Sequence, residues 1–129
     1  MLFRSSFDMD AGEILGIVGE TGSGKSVTAQ AIMGLLPFLD GRISSGRISF
    51  NDKDLLSLTE MEWQKLRGNQ ISLISQNPMT SLDPVYKVGD QIVEGLNLHL
   101  KITRADAQKR AIDVMTSLGI ANAEKVFHQ

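Results

Sequence analysis

Residues 19–26 read Gly-Glu-Thr-Gly-Ser-Gly-Lys-Ser, which fits the spacing G-x-x-x-x-G-K-[ST] at every position. The chemistry this pattern serves is the holding of a phosphate. Gly19, Gly22 and Gly24 allow positive φ and leave room for the backbone to wrap an anion. Successive N–H groups along such a curve turn inward as an anion nest. A helix that follows adds the positive end of its dipole and its unpaired first-turn amides. Lys25 then places a point charge on the β- and γ-phosphate oxygens, and the Ser26 hydroxyl ligates Mg²⁺. The candidate phosphate-binding residues are therefore Gly19, Glu20, Thr21, Gly22, Ser23, Gly24, Lys25, Ser26 and Val27.

The four fixed positions coincide by chance in fewer than roughly one chain of this length in a hundred. The flanking residues supply the elements that the mechanism needs. Glu13–Val18 (EILGIV) is a short apolar run that predicts a buried strand directly before the loop. Leu2–Phe7 predicts an edge strand, with Asp10-Ala-Gly12 as the turn between the two. After the loop, Ser26 to Leu36 predicts a helix with Val27, Ala31 and Leu35 on one face, stopped by Pro37. Arg47–Phe50 reads as a strand, Asn51-Asp52 as a turn, and Thr59 with Glu62 as a capping box for a helix to about Leu66. Ile71–Ile74 is a second candidate for a buried strand, left as a loop at Gln76-Asn77-Pro78. From Val88 onward the spacing is helical, with one stripe through Val88, Ile92 and Leu96 and another through Ala107, Ala111, Val114 and Leu118. Thr103 and Asp106 form a weaker capping pair. The expected fold class is α/β, a P-loop core over 1–78 continued by a mostly helical segment over 79–129. At this point ATPases, GTPases and small-molecule kinases all remain open.

Composition narrows the field. The 129 residues suit one domain, and a formal charge of −2 argues against a surface built to bind nucleic acid. Without cysteine, disulfides and thiolate metal sites are excluded, and two histidines as distant as His99 and His128 do not make a metal site. The opening segment meets Asp8 and Asp10 before any apolar core forms, unlike a signal peptide. The uncharged stretch Ser26 to Leu39 is shorter than the roughly twenty apolar residues of a membrane span, as is every other uncharged run of the chain. Direct membrane insertion is therefore not expected. The methionines are scattered, which suits gap-filling, and Trp63 reads as packing.

Downstream, Ile71-Ser-Leu-Ile-Ser-Gln-Asn-Pro-Met-Thr-Ser-Leu-Asp-Pro84 resembles the Q-loop region of ATP-binding cassette (ABC) transporter ATPases, and within them the branch that powers dipeptide, oligopeptide and nickel importers. Gly34-Leu-Leu-Pro37, Asp54-Leu-Leu56, Leu66-Arg-Gly68 and Val88-Gly-Asp-Gln-Ile92 follow in the order that the resemblance requires. It implies an ATP- and Mg²⁺-dependent ATPase subunit on the cytoplasmic face of a cell membrane, working as a homo- or heterodimer with permease subunits. Gln76 corresponds to the family glutamine that reaches Mg²⁺ and the attacking water, so the resemblance makes Lys25 and Gln76 the catalytic candidates and Ser26 and Gln76 the metal ligands. It also makes Asn77–Tyr86 the segment that receives the permease's coupling helix. Asn77 and Ser75 depart from the family pattern, which has an acidic and a bulky apolar residue there.

After residue 78 no apolar run ends in Asp-Glu, and no Leu-Ser-Gly-Gly occurs. The chain thus resembles the front part of such a domain, with the adenine-stacking aromatic expected further upstream. Three functions follow: a piece of an importer ATPase that binds nucleotide phosphates without turnover, a non-catalytic binding module, or another P-loop class such as a small-molecule kinase. The strand before the loop is expected to lack its neighbours, leaving Ile14, Ile17 and Val18 beside an unpaired edge.

Overall fold

The computed structural model describes residues 5–77 and 81–129, in two units divided between residues 64 and 65. Leu2, Phe3 and Arg4 of the expected edge strand, and Pro78, Met79 and Thr80 of the expected coupling segment, lie outside the described residues, and residues 5–7, which are described, form no strand.

In the first unit the turn after Asp10 forms as expected. The Glu13 N–H donates to Asp10 O at 3.1 Å, and the Glu13 carboxylate accepts from the Asp10 N–H at 2.7 Å. The strand expected over Glu13–Val18 does not form: residues 13–20 belong to neither helix nor strand, and Ile14 and Val18 are 95% and 93% exposed. A strand takes its hydrogen bonds from a neighbour, and among the described residues none lies alongside.

Helix α1 covers Lys25–Ile32 and stops short of the expected Leu36. The cause is Gly34, whose φ of 64° ends the helix in a Schellman motif. Its N–H donates to Ala31 O at 3.0 Å, and the Leu35 N–H to Gln30 O at 2.9 Å. A side chain at Gly34 is also barred by packing, since a Cβ there would lie 2.5 Å from the Trp63 ring. Pro37 instead starts a short 3₁₀ turn, Leu36–Leu39. The buried residues here are Met33, Leu36, Leu55 and Trp63, whereas Val27 of the expected apolar face is exposed.

Strands β1 (Ser49–Phe50) and β2 (Lys53–Asp54) pair antiparallel. The two-residue turn between them has positive φ at both Asn51 and Asp52, the combination that matches strand twist in a tight hairpin. Asp54 then caps the 3₁₀ turn Leu55–Ser57 by accepting from the Leu56 N–H at 3.0 Å. Helix α2 (Glu60–Leu66) begins as expected, with the Glu62 carboxylate accepting from both the N–H and the hydroxyl of Thr59 at 2.8 and 2.7 Å.

The second unit is built on α3 (Val88–His99), α4 (Arg104–Ser117) and α5 (Ala123–Phe127). Their core is Val93, Ala107, Ala111, Met115, Ala123 and Phe127, with Val88, Ile92 and Leu96 packed against it. The α3 stripe is as expected, but on α4 the buried row runs 107, 111, 115. Met115 is buried where Val114 and Leu118 were expected, because residues four apart stack on one face and a flexible thioether fills the gap. Thr103 caps α4, accepting from the Asp106 N–H at 3.1 Å. Ahead of α3, the strand expected at Ile71–Ile74 is reduced to a single bridge between Ile71 and Arg67, and Ile74 is 96% exposed.

Candidate phosphate-binding site

The loop Gly19–Ser26 is shaped by its glycines in different ways. The Ser23 N–H closes a turn onto Glu20 O at 3.1 Å, and Gly22 takes φ 82° within it. Gly24, at φ 99°, is the residue from which α1 departs. Gly19 is outside the positive-φ region, so of the two reasons expected for these glycines, positive φ and room for the backbone, the first does not apply to it. Its lack of a side chain serves close approach instead, since a Cβ there would lie 2.7 Å from the Ser23 Oγ.

The first turn of α1 follows directly. Its opening hydrogen bond runs from the Thr28 N–H to Gly24 O at 2.8 Å, reinforced by the Thr28 hydroxyl at 2.9 Å. The amides of Lys25, Ser26 and Val27 precede that bond and have no acceptor within the helix. Three consecutive donors at the positive end of a helix dipole form an anion-binding surface.

Lys25 folds back onto the loop it belongs to. Its Nζ donates to Gly19 O and Glu20 O, both at 2.7 Å, and to the Ser23 Oγ at 3.2 Å. All three ammonium hydrogens thus have oxygen acceptors. Phosphate oxygens are acceptors of the same kind with more charge, so a phosphate offered to the loop competes for donors already gathered there. The loop and α1 therefore bring together Gly19, Glu20, Thr21, Gly22, Ser23, Gly24, Lys25, Ser26 and Val27, with Ser26 and Val27 exposed on the first turn.

Gln76 belongs to the second unit, at an exposed bend. Beside it the Ser75 hydroxyl bonds to Asn77 O at 3.0 Å and lies 3.3 Å from the Ser81 Oγ. Among the described residues no group of three or more His, Asp or Glu side chains is placed to hold a metal ion. His99 packs against Gly68, where an added Cβ would lie 3.1 Å from its Nε2. Sequence reasoning missed Gln91 on α3, whose side chain holds the loop before it. Its signal was the polar residue between Val88 and Ile92 of an apolar stripe.

Comparison with known proteins places the chain in a family. The family model described as ABC transporter matches residues 2–129. A dipeptide transport ATP-binding protein of Lactococcus lactis is 52% identical over 120 residues, covering 92% of this chain and 34% of that protein. An oligopeptide transport ATP-binding protein of Bacillus subtilis is 51% identical over 124 residues, 96% of this chain and 35% of that protein. A peptidoglycan transport ATP-binding protein of Agrobacterium fabrum is 47% identical over 120 residues, 93% and 22% of the two chains. The chain spans about a third of the length of the first two of these relatives.

Proposed function

The chain belongs to the ABC transporter family, and from that premise we propose that it is the phosphate-binding part of an importer's ATPase subunit. With the family comes the α/β P-loop fold expected from the sequence. The observation that carries the proposal is the Gly19–Ser26 loop, whose lysine is folded onto the loop's own oxygens and which opens into a helix with three first-turn amides that have no acceptor within it. The high identity to dipeptide and oligopeptide transport ATP-binding proteins supports peptides as the cargo.

In this reading the amides of Lys25, Ser26 and Val27 and the Lys25 ammonium hold the β- and γ-phosphates of ATP. The loop's own oxygens keep the ammonium pre-positioned. The Ser26 hydroxyl is an oxygen donor of the kind that would hold Mg²⁺, a hard cation that takes oxygen ligands. Such an ion, when bound, neutralises charge on the phosphates. The neutral Gln76 amide has both donor and acceptor atoms to orient a water. Asn77–Tyr86 is the segment offered to a permease subunit, and a second ATPase subunit completes the working pair. No described helix is long and apolar enough to cross a membrane. This reading puts the subunit on the cytoplasmic face, held there by its permease.

Titration calorimetry tests the central claim. Lys25→Ala removes one charge-assisted contact and should weaken ATP binding about tenfold or more. Equal affinity in the two chains would overturn it. The same samples should release no phosphate beyond background, because Lys25, Ser26 and Gln76 supply only part of what phosphoryl transfer to water requires.

A further inference from the structure

The residues just ahead of α3 form a short loop without helix or strand, and one side chain from the helix ties it down. The Oε1 of Gln91 accepts from the Asp83 N–H at 2.9 Å. Its Nε2 donates to Asp83 O at 2.9 Å and to Tyr86 O at 3.0 Å. Within the loop, Asp83 adds a turn of its own: its Oδ1 accepts from the Val85 N–H at 2.9 Å, and its carbonyl from the Tyr86 N–H at 3.3 Å. A single amide therefore engages one donor and two acceptors that no sheet or helix satisfies. The polar groups of the loop are drawn towards α3, while Val85 and Tyr86 are left 83% and 65% exposed.

This arrangement costs something in water and gains something against a partner. Two large side chains held out by a loop with fixed backbone lose little further freedom when an apolar surface meets them. We infer that Gln91 is a positioning residue for the permease contact: it pre-orders Asp83–Tyr86 so that Val85 and Tyr86 form a fixed apolar edge for a helix of the membrane-spanning subunit. The inference rests on the reading of Asn77–Tyr86 given above. It is specific to the amide. A carboxylate at the same length accepts from the Asp83 N–H but offers no hydrogen to the two carbonyls, and it sets a negative charge beside Asp83.

The test uses the whole chain with Gln91→Ala, with Gln91→Glu, and with Val85→Ser and Tyr86→Ser combined. Amide exchange is followed at Asp83 and Tyr86, with Val93 in the α3 core as the internal standard. Gln91→Ala should speed exchange at Asp83 by about tenfold, and Gln91→Glu, which keeps that acceptor but loses both bonds to the carbonyls, should speed exchange at Tyr86, while Val93 is unchanged in both. Unchanged loop amides, or Val93 rising in step with them, would overturn the positioning role. Docking is read by co-sedimentation with phospholipid vesicles carrying the membrane-spanning pair of a peptide importer, against vesicles without it. Both Gln91 variants should sediment several-fold less than the parent chain. If they lose loop order yet sediment normally, while the Val85/Tyr86 variant does not, the inference fails and the segment's reading stands. If the parent chain does not sediment, or the Val85/Tyr86 variant sediments as well as it does, the reading of the segment fails and the inference with it.

Discussion

Gly89 and Gly95 sit six residues apart on α3 and have opposite reasons for being glycine. A Cβ at Gly89 would lie 2.4 Å from the Phe127 ring, so the close approach of α5 to α3 depends on its absence. Nothing lies within 4 Å of a Cβ at Gly95, and its φ is outside the left-handed region. Gly89→Ala should therefore destabilise the helical unit by about 1–3 kcal/mol through overpacking. Gly95→Ala should stabilise it by about 0.5–1 kcal/mol through the lower backbone entropy of the unfolded chain. Urea unfolding followed by helical circular dichroism reads both, and equal effects of the same sign would contradict the packing described. The same division of labour runs through the phosphate loop. Gly22 and Gly24 are needed for their φ, and Gly19 for what approaches it. Spacing alone does not separate these roles, because each requires the same missing atom.

Among elements, those made by short-range interactions were legible in the sequence. The Thr59–Glu62 cap, the Asn51-Asp52 turn and the Thr103–Asp106 cap each join residues no more than three apart, and each is present. Elements that need a distant partner were not. The apolar runs at Glu13–Val18 and Ile71–Ile74 signal a preference for burial, but a run cannot supply the neighbouring backbone that makes it a strand. The α1 end lies between these cases: Gly34 and Pro37 are both stop signals, and the one that acts is the glycine against Trp63. The helix that follows the candidate loop was legible because the motif is contiguous with it, whereas the clamp by Gln91 joins a loop to a helix and carries no such pattern. The α4 cap offers a quantitative check. Thr103→Ala removes the acceptor for the Asp106 N–H and should cost about 1 kcal/mol in the same urea experiment. A loss below a few tenths would show that the bond is not holding the helix end.

At the scale of the whole molecule, the segment leading into the phosphate loop carries the most exposed large apolar side chains described in the first unit. Ile14 and Val18 are almost fully exposed, Ile17 is about half exposed, and residues 13–20 are neither helix nor strand. Between Glu13, whose N–H bonds to Asp10 O, and Gly19, whose carbonyl accepts from Lys25, residues 14–18 run as backbone unpaired among the described residues and flanked by β-branched side chains, a template for pairing with another chain. A formal charge of −2 offers little long-range repulsion to prevent it. The second unit has a local helical core, although Ile74, Val85, Leu98 and Leu118 are exposed there as well. The chain should therefore associate as concentration rises, through residues 13–18. Light scattering should show an apparent mass that grows with concentration, and combined Ile14→Lys and Val18→Lys substitutions should return it to the monomer, because two added charges per chain oppose edge pairing. Amide protection at Ile14–Val18 should appear with association in the parent chain and be absent in the variant. A parent chain that stays monomeric at every concentration, with those amides already protected, would mean that the segment finds its partner within its own molecule.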